Sequence, residues 1–327
     1  MKKSELYSLM GAHLDLAVEA HDLLRGEAGG EIPGVKMEEE THDIANIKIV
    51  TVLDEQGASM MGRPQGTYLT MESKALREGN KEIHKQISIL LAEKLEEILS
   101  LNDNSTILVV GLGNWNATPD ALGPKVIDYT PATRHLFQFG PVELQQGYRS
   151  VCIISPGVLG LTGIETVEII KGTVDHVKPD VVICIDALAA GNVERINSTI
   201  QIATTGINPG SGVGNKRKAI NQQTLGVPVI AIGVPSVVHA GIIAHQAIEE
   251  LANSRNMPML QNALQSMHPF EINDLISKVL APFGGQLMVT PKEIDEQITN
   301  TAYIIAMALT IALHPGVPPE EVELYLH

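Results

Sequence analysis

Two aspartates stand where carboxylate chemistry can be run. Asp120 lies in the turn sequence TPDALGP, and Asp186 closes the apolar run VVICID, 66 residues further on. A carboxylate at the end of an apolar strand is partly desolvated, and a second carboxylate beside it raises the pKa of one member. Such a pair can share a proton, activate water and protonate a leaving amine, which is the chemistry of an aspartic-type hydrolase. Spacing alone leaves a plainer role open for each. Asp120 suits the N-cap of a helix over ALGPKVI, and Asp186 suits the cap of a helix following its strand.

Other patterns offer competing chemistry. GLGN at Gly111 opens like a dinucleotide fingerprint, but Asn116 stands where GxGxxG needs its last glycine, and no ribose-binding acid follows about twenty residues on. NPGSGVGNKRK fails the phosphate-loop pattern, since Lys216 follows Asn215 and Arg217 takes the Ser/Thr position. Its basic cluster on an acidic chain makes Lys216 and Arg217 candidate substrate contacts, beside the plainer reading of a solvated turn. The sequence holds neither a GxSxG elbow nor an HExxH helix. His239 falls on the same expected edge as the aspartates, so a metal set of Asp120, Asp186 and His239 is a second reading, that of a metal-dependent peptidase. His135 in TRHLF stands in the same position.

These side chains need elements to hold them. The runs TILVVG, SVCIIS, DVVICID, STIQIA and VPVIAIG are short, β-branched and apolar on both faces, so each must be covered by helices on two sides. IKIVTVL and TYLTME also read as strands. Helical periodicity appears over Lys81–Leu101, Ile164–Val177 and His239–Leu251. The alternation predicts an α/β fold: a doubly wound, mostly parallel sheet in one domain. In such sheets ligands sit beyond the carboxyl ends of the strands. That selects five loops: GLGNWNATPDALGP, PGVLGLTGIET, DALAAGNVER, TTGINPGSGVGNKRK and GVPSVVHAG. A helical region follows over Pro258–Val279, then a long helix after TPKEID, with Pro291 in its first turn. Residues Met1 to about Lys36 read as a mobile arm closed by GEAGGEIPG, with the folded body starting near Ile47.

Composition narrows the classes. The 327 residues are 44% hydrophobic and 19% charged, enough for a sizeable core. Net charge is −15, from 38 acidic and 23 basic residues, and only 3% are aromatic. Such a chain repels a phosphate backbone and has little to stack bases on, so no direct nucleic-acid partner is expected. Cys152 and Cys184 lie in apolar strands without metal-ligand spacing, and read as reduced core residues. No apolar run is long enough for a membrane span and the N-terminus does not read as a secretory signal, so a cytoplasmic protein is expected.

Taken together, DLAVEAHD at Asp15, GLGNWNATPDALGPKVID at Gly111, TRHLF at Thr133, PGVLGLTGIET at Pro156, IDALAA at Ile185, INPGSGVGNKRK at Ile207, GVPVIAIGVPSVV at Gly226 and LMVTPKEID at Leu287 resemble one family. It is that of the germination proteases of spore-forming Firmicutes, atypical aspartic endopeptidases of small acid-soluble spore proteins. The matching stretches run through almost the whole chain. The resemblance implies a three-layer α/β/α sandwich similar to hydrogenase-maturation proteases, with Asp120 and Asp186 as the catalytic pair and neither metal nor cofactor. It also implies a homotetramer in the cytoplasm of the spore core, with small acid-soluble spore proteins as substrate. Members are made as zymogens, so residues 1–15 would be a propeptide cut at Asp15–Leu16 within LDLAVEA. Residues 16–327 would then form a single catalytic domain with a C-terminal helical region. The alternative is a metal-dependent peptidase of the hydrogenase-maturation type.

Overall fold

The computed structural model describes residues 3–12, 14–28, 30–208, 218–254 and 266–326. Its centre is one nine-stranded sheet. The strands are β1 (Val35–Thr41), β2 (Asn46–Val52), β3 (Gly66–Glu72), β4 (Thr106–Gly111), β5 (Ser150–Ile154), β6 (Val181–Ala190), β7 (Thr199–Ala203), β8 (Val229–His239) and β9 (Met288–Val289). They run in the order β1-β2-β3-β7-β8-β6-β4-β5, with β9 also paired to β8. The strands β5, β4, β6 and β8 are mutually parallel. β1, β2, β3 and β7 extend them as an antiparallel wing.

Helices cover both faces, as two-sided apolar strands require. On one face lie Lys81–Leu99, Leu122–Tyr129 and Ile294–Leu313, packed on Ile107, Val109, Ile183, Ile185 and Ile232. The last of these helices is buried over most of its length, because it is flanked by the other two helices and shares their core with the sheet. Lys81–Leu99 begins where the Asn80 side chain accepts from the amides of Glu82 and Ile83, and stops at Ser100 in the left-handed region. It presents Ile87, Leu91 and Leu95 to the core, all fully buried. The other face is covered by Thr166–Val177 over β4 and β6, and by the N-terminal part of the chain over the wing. The α/β layering expected from the sequence is therefore present.

Three expectations change. The N-terminal stretch is not a mobile arm. It forms helices Lys3–Leu9 and Ala17–Ala28 and the edge strand β1, and Leu6, Leu16, Ala17 and Val18 are fully buried. Its apolar residues come in short groups between acids and find partners only across the fold, so local periodicity does not reveal them. Second, β7 runs antiparallel to β8. The loop TTGINPGSGVGNKRK therefore leaves the sheet at the opposite end from the loops after β4 and β6. Third, β6 and β8 continue through Ala190 and His239. Most of GVPSVVHAG and the start of DALAAGNVER are thus strand. The expected helical region Pro258–Val279 is observed as Pro269–Leu280, its first eight positions lying outside the described residues.

Leu91→Ala should leave a cavity in the core shared by these helices and the sheet. We expect it to lower the unfolding free energy by about 2–5 kcal/mol, read from denaturant titration.

Candidate active site

The site forms where β4 stops and β6 continues. Pairing between the two strands ends at Gly111–Ile185, and the Leu112 amide makes a last bond of 2.8 Å to the Ile185 carbonyl. The chain then turns at Gly113, φ +117°, where a Cβ would come within 1.9 Å of the Asp120 carbonyl oxygen. Only glycine fits such an approach, so the GLGN glycine serves this turn and not a dinucleotide. The Asn114 amide donates both to Asp120 Oδ2 at 2.9 Å and to the Asp120 carbonyl at 3.1 Å. Pro119 contributes its carbonyl to the Ser236 hydroxyl at 2.6 Å, which ties the turn to β8. Ser236 is the extra residue where the pairing of β6 with β8 shifts register between Leu188 and Ala189. A bulge here re-aims a side chain toward the site.

Asp186 lies inside β6, only 5% exposed, with Oδ1 accepting from the Ala187 amide at 2.9 Å. No helix follows its strand directly. The next helical turn, Val193–Arg195, is capped by Asn192. The helix Leu122–Tyr129 begins without a side-chain cap. The N-cap position of that helix is Ala121, not Asp120, and Asp186 ends no strand that leads into a helix. The fold brings both to one edge: the turn carrying Asp120 starts at Leu112, bonded to the residue before Asp186. Two positions before Asp186, burial and that carboxylate's charge push the Cys184 thiol up. Cys184 and Cys152 are both free thiols.

Beyond Ile185 the edge of β6 has no strand beside it among the described residues. Backbone alternation points the amides of residues 187, 189 and 191 toward the side that β4 has vacated. Each is taken by a carboxylate: Asp186 at Ala187, Asp15 at Ala189 (2.9 Å) and Glu19 at Gly191 (2.8 Å). Asp15 and Leu16 are thus drawn onto the face that carries Asp186. Gln201, Gly233 and Asp186 form one row across β7, β8 and β6, with Gln201 and Asp186 roughly 10 Å apart. Gln201 donates to the Asp15 carbonyl at 3.2 Å and accepts from the Ala17 amide at 2.6 Å. Leu16 is fully buried, packed with Val18 against Leu188. The half-buried Arg63 donates to the Leu14 carbonyl.

The remaining candidates lie elsewhere. Lys216 and Arg217 fall outside the described residues. His239 is buried, and both ring nitrogens face backbone: Gly241 N–H donates to Nδ1, and Nε2 faces the Gly285 carbonyl at 3.1 Å. Burial lowers its pKa. It also stands more than about 15 Å along β8 from the Asp186 row, so it does not join the aspartates. His135 is exposed on the short helix Arg134–Phe139. Among the described residues no group of three or more His, Cys, Asp and Glu is arranged to hold a metal ion, and no helix is long and apolar enough to cross a membrane. Sequence reasoning missed Gln201 and Arg63. Gln201 carries a signal, as the one amide in the apolar run STIQIA. Arg63 carries none.

A family model described as germination protease matches residues 15–257 and 249–326. The germination protease of Caldanaerobacter subterraneus subsp. tengcongensis is 47% identical, covering 98% of this chain and 99% of its own length. That of Clostridium tetani is 46% identical over 97% and 100%, and that of Bacillus subtilis 41% identical over the whole of both. The chain belongs to the germination protease family. Membership makes it a peptidase of spore germination, and in this chain the turn carrying Asp120, Asp186 and the Asp15–Leu16 segment meet at one sheet edge.

The chain also carries a pH-dependent anchor. Burial, opposed mainly by Arg195, raises Glu19 from 4.5 to about 7. Because the folded value is the higher one, the folded chain holds the extra proton. This contribution to stability is full below about 4.5 and is lost as pH rises through about 7. Glu19→Gln keeps the acceptor for Gly191 and removes the titration. Over that pH range its melting temperature should fall less than that of the wild type.

Proposed function

We propose that this germination protease is the endopeptidase that initiates degradation of small acid-soluble spore proteins, made as a zymogen and hydrolysing peptide bonds with Asp120 and Asp186. The aspartates share a proton: one takes a proton from the water that attacks the peptide carbonyl, and the other protonates the leaving nitrogen. Residues 1–15 are the propeptide, released by cleavage between Asp15 and Leu16, which leaves 16–327 as the catalytic domain.

The observation that carries this reading is the seat of the Asp15–Leu16 bond. It lies on the sheet face of Asp186, with its carbonyl bonded to Gln201 and Leu16 buried. A bond held this way is closed to a second protease molecule unless the segment first opens, which favours cleavage by the chain itself. The reading also includes a homotetramer in the spore core. Phe139, Val142 and Leu144, exposed by 86%, 70% and 54%, form a surface run suited to a subunit contact. Light scattering should return the mass of a tetramer and not that of one 35.2 kDa chain.

Intact-mass spectrometry of the purified full chain during mildly acidic incubation tests the chemistry. The wild type should lose residues 1–15 with or without a chelator, whereas Asp186→Asn should stay intact. Cleavage stopped by the chelator would move the assignment to a metal-dependent peptidase. Cleavage surviving in Asp186→Asn would remove the aspartate pair.

A further inference from the structure

Asp15 is held by groups that the hydrolytic pair does not use. Its carboxylate accepts the Ala189 amide at 2.9 Å, on the edge of β6 that β4 leaves open. The Arg63 guanidinium donates to the Leu14 carbonyl, one residue before Asp15, and has Asp15 among its counter-charges. Arg63 is itself fixed by the Tyr68 ring, 5.8 Å from its carbon centre to the ring centroid. Its Nε is buried without a hydrogen-bond partner among the described residues. An arginine brought onto this face and left with donor capacity is organised for an anion. Gln201 completes the arrangement, gripping the backbone on both sides of Leu16 through the Asp15 carbonyl and the Ala17 amide. A side-chain amide bonded to a carbonyl and to the amide two residues later fixes the register of a peptide, whatever its side chains. Beside these groups lies a cavity of about 100 Å³, bordered by Asp15, Arg63, Leu188, Gln201 and Gly233.

We propose that the Ala189 amide and Arg63 form the subsite that recognises the acidic residue immediately before the cleaved bond, with Gln201 as the positioning residue that sets the register. The inference rests on the reading of Asp15–Leu16 as the processed bond, and it names what selects that bond. Specificity arises because an uncharged residue at this place leaves the guanidinium without its counter-charge, whereas a carboxylate takes the Ala189 amide and offsets the Arg63 charge. The adjoining cavity leaves room for the one extra methylene of glutamate, so the subsite selects for charge over length.

A double-mutant cycle on self-cleavage of the full chain decides the matter, with rates taken from intact mass and folding checked by thermal melts. Asp15→Asn and Arg63→Met should each slow loss of residues 1–15 by about tenfold or more, the fold-change expected when one member of a partly buried charge pair loses its counter-charge. The double variant should be no slower than either single one, because both changes remove the same interaction. Asp15→Glu should retain most of the wild-type rate. Multiplied effects in the double variant would make Arg63 a structural residue and overturn the subsite, as would an Asp15→Asn chain processed at the wild-type rate. If Arg63→Met does not fold, Arg63→Gln, which also removes the charge but keeps a donor for the Leu14 carbonyl, takes its place in the cycle with the same expectation of non-additivity. A wild-type chain that cleaves a different bond overturns the subsite and leaves the peptidase reading standing. A wild-type chain that never cleaves itself overturns both.

Discussion

The structure depends on one mismatch of length: β6 runs on past the point where β4 ends. A strand edge without a neighbour carries amides that must find acceptors. Here three such amides, at residues 187, 189 and 191, are met by three carboxylates. One of these belongs to β6 itself and two come from a segment more than 170 residues earlier in the chain. This exchange places Asp186 inside a strand and draws the N-terminal segment across the sheet, while the turn that holds Asp120 departs from the last bond between β4 and β6 at Leu112.

Small residues make the crossing possible. Gly113 lets the turn close on the Asp120 backbone, and Gly233, in the row of Asp186, leaves its space to Leu188, since a Cβ there would come within 2.4 Å of that side chain. The register shift at Ser236 then fastens the Asp120 turn to β8. Four segments far apart in sequence thus meet through contacts of a few ångströms. Replacement of Gly113 would press directly on Asp120, and replacement of Gly233 would displace Leu188 beside the row of Asp186.

Burial of charge is the cost of this arrangement. Glu19 is 7% exposed, with a carboxyl pushed up to about 7, and Arg195 faces Glu19, Asp22 and Glu72 at 3.2–3.6 Å. Paired groups of this kind add little net stability once desolvation is counted, although removing a single partner is expensive. They act chiefly to fix where the N-terminal helix Ala17–Ala28 sits. That position in turn fixes the Asp15–Leu16 bond on the Asp186 face.

Much of this was legible in the residues alone. Two-sided apolar runs required a covered sheet, the turn sequence TPDALGP set Asp120 in a loop leaving that sheet, and Asp186 at the end of VVICID stood out as a carboxylate in an apolar setting. Those features are local: they follow from periodicity, turn chemistry and the cost of desolvating a charge. Tertiary structure alone decided the direction of β7, the continuation of β6 beyond Asp186, the burial of the N-terminal segment and the meeting of Asp15 with Ala189, Gln201 and Arg63. Each of these depends on which strand lies beside which. Pairing joins residues far apart in sequence through backbone groups that every residue type carries, so the side-chain pattern holds no record of it.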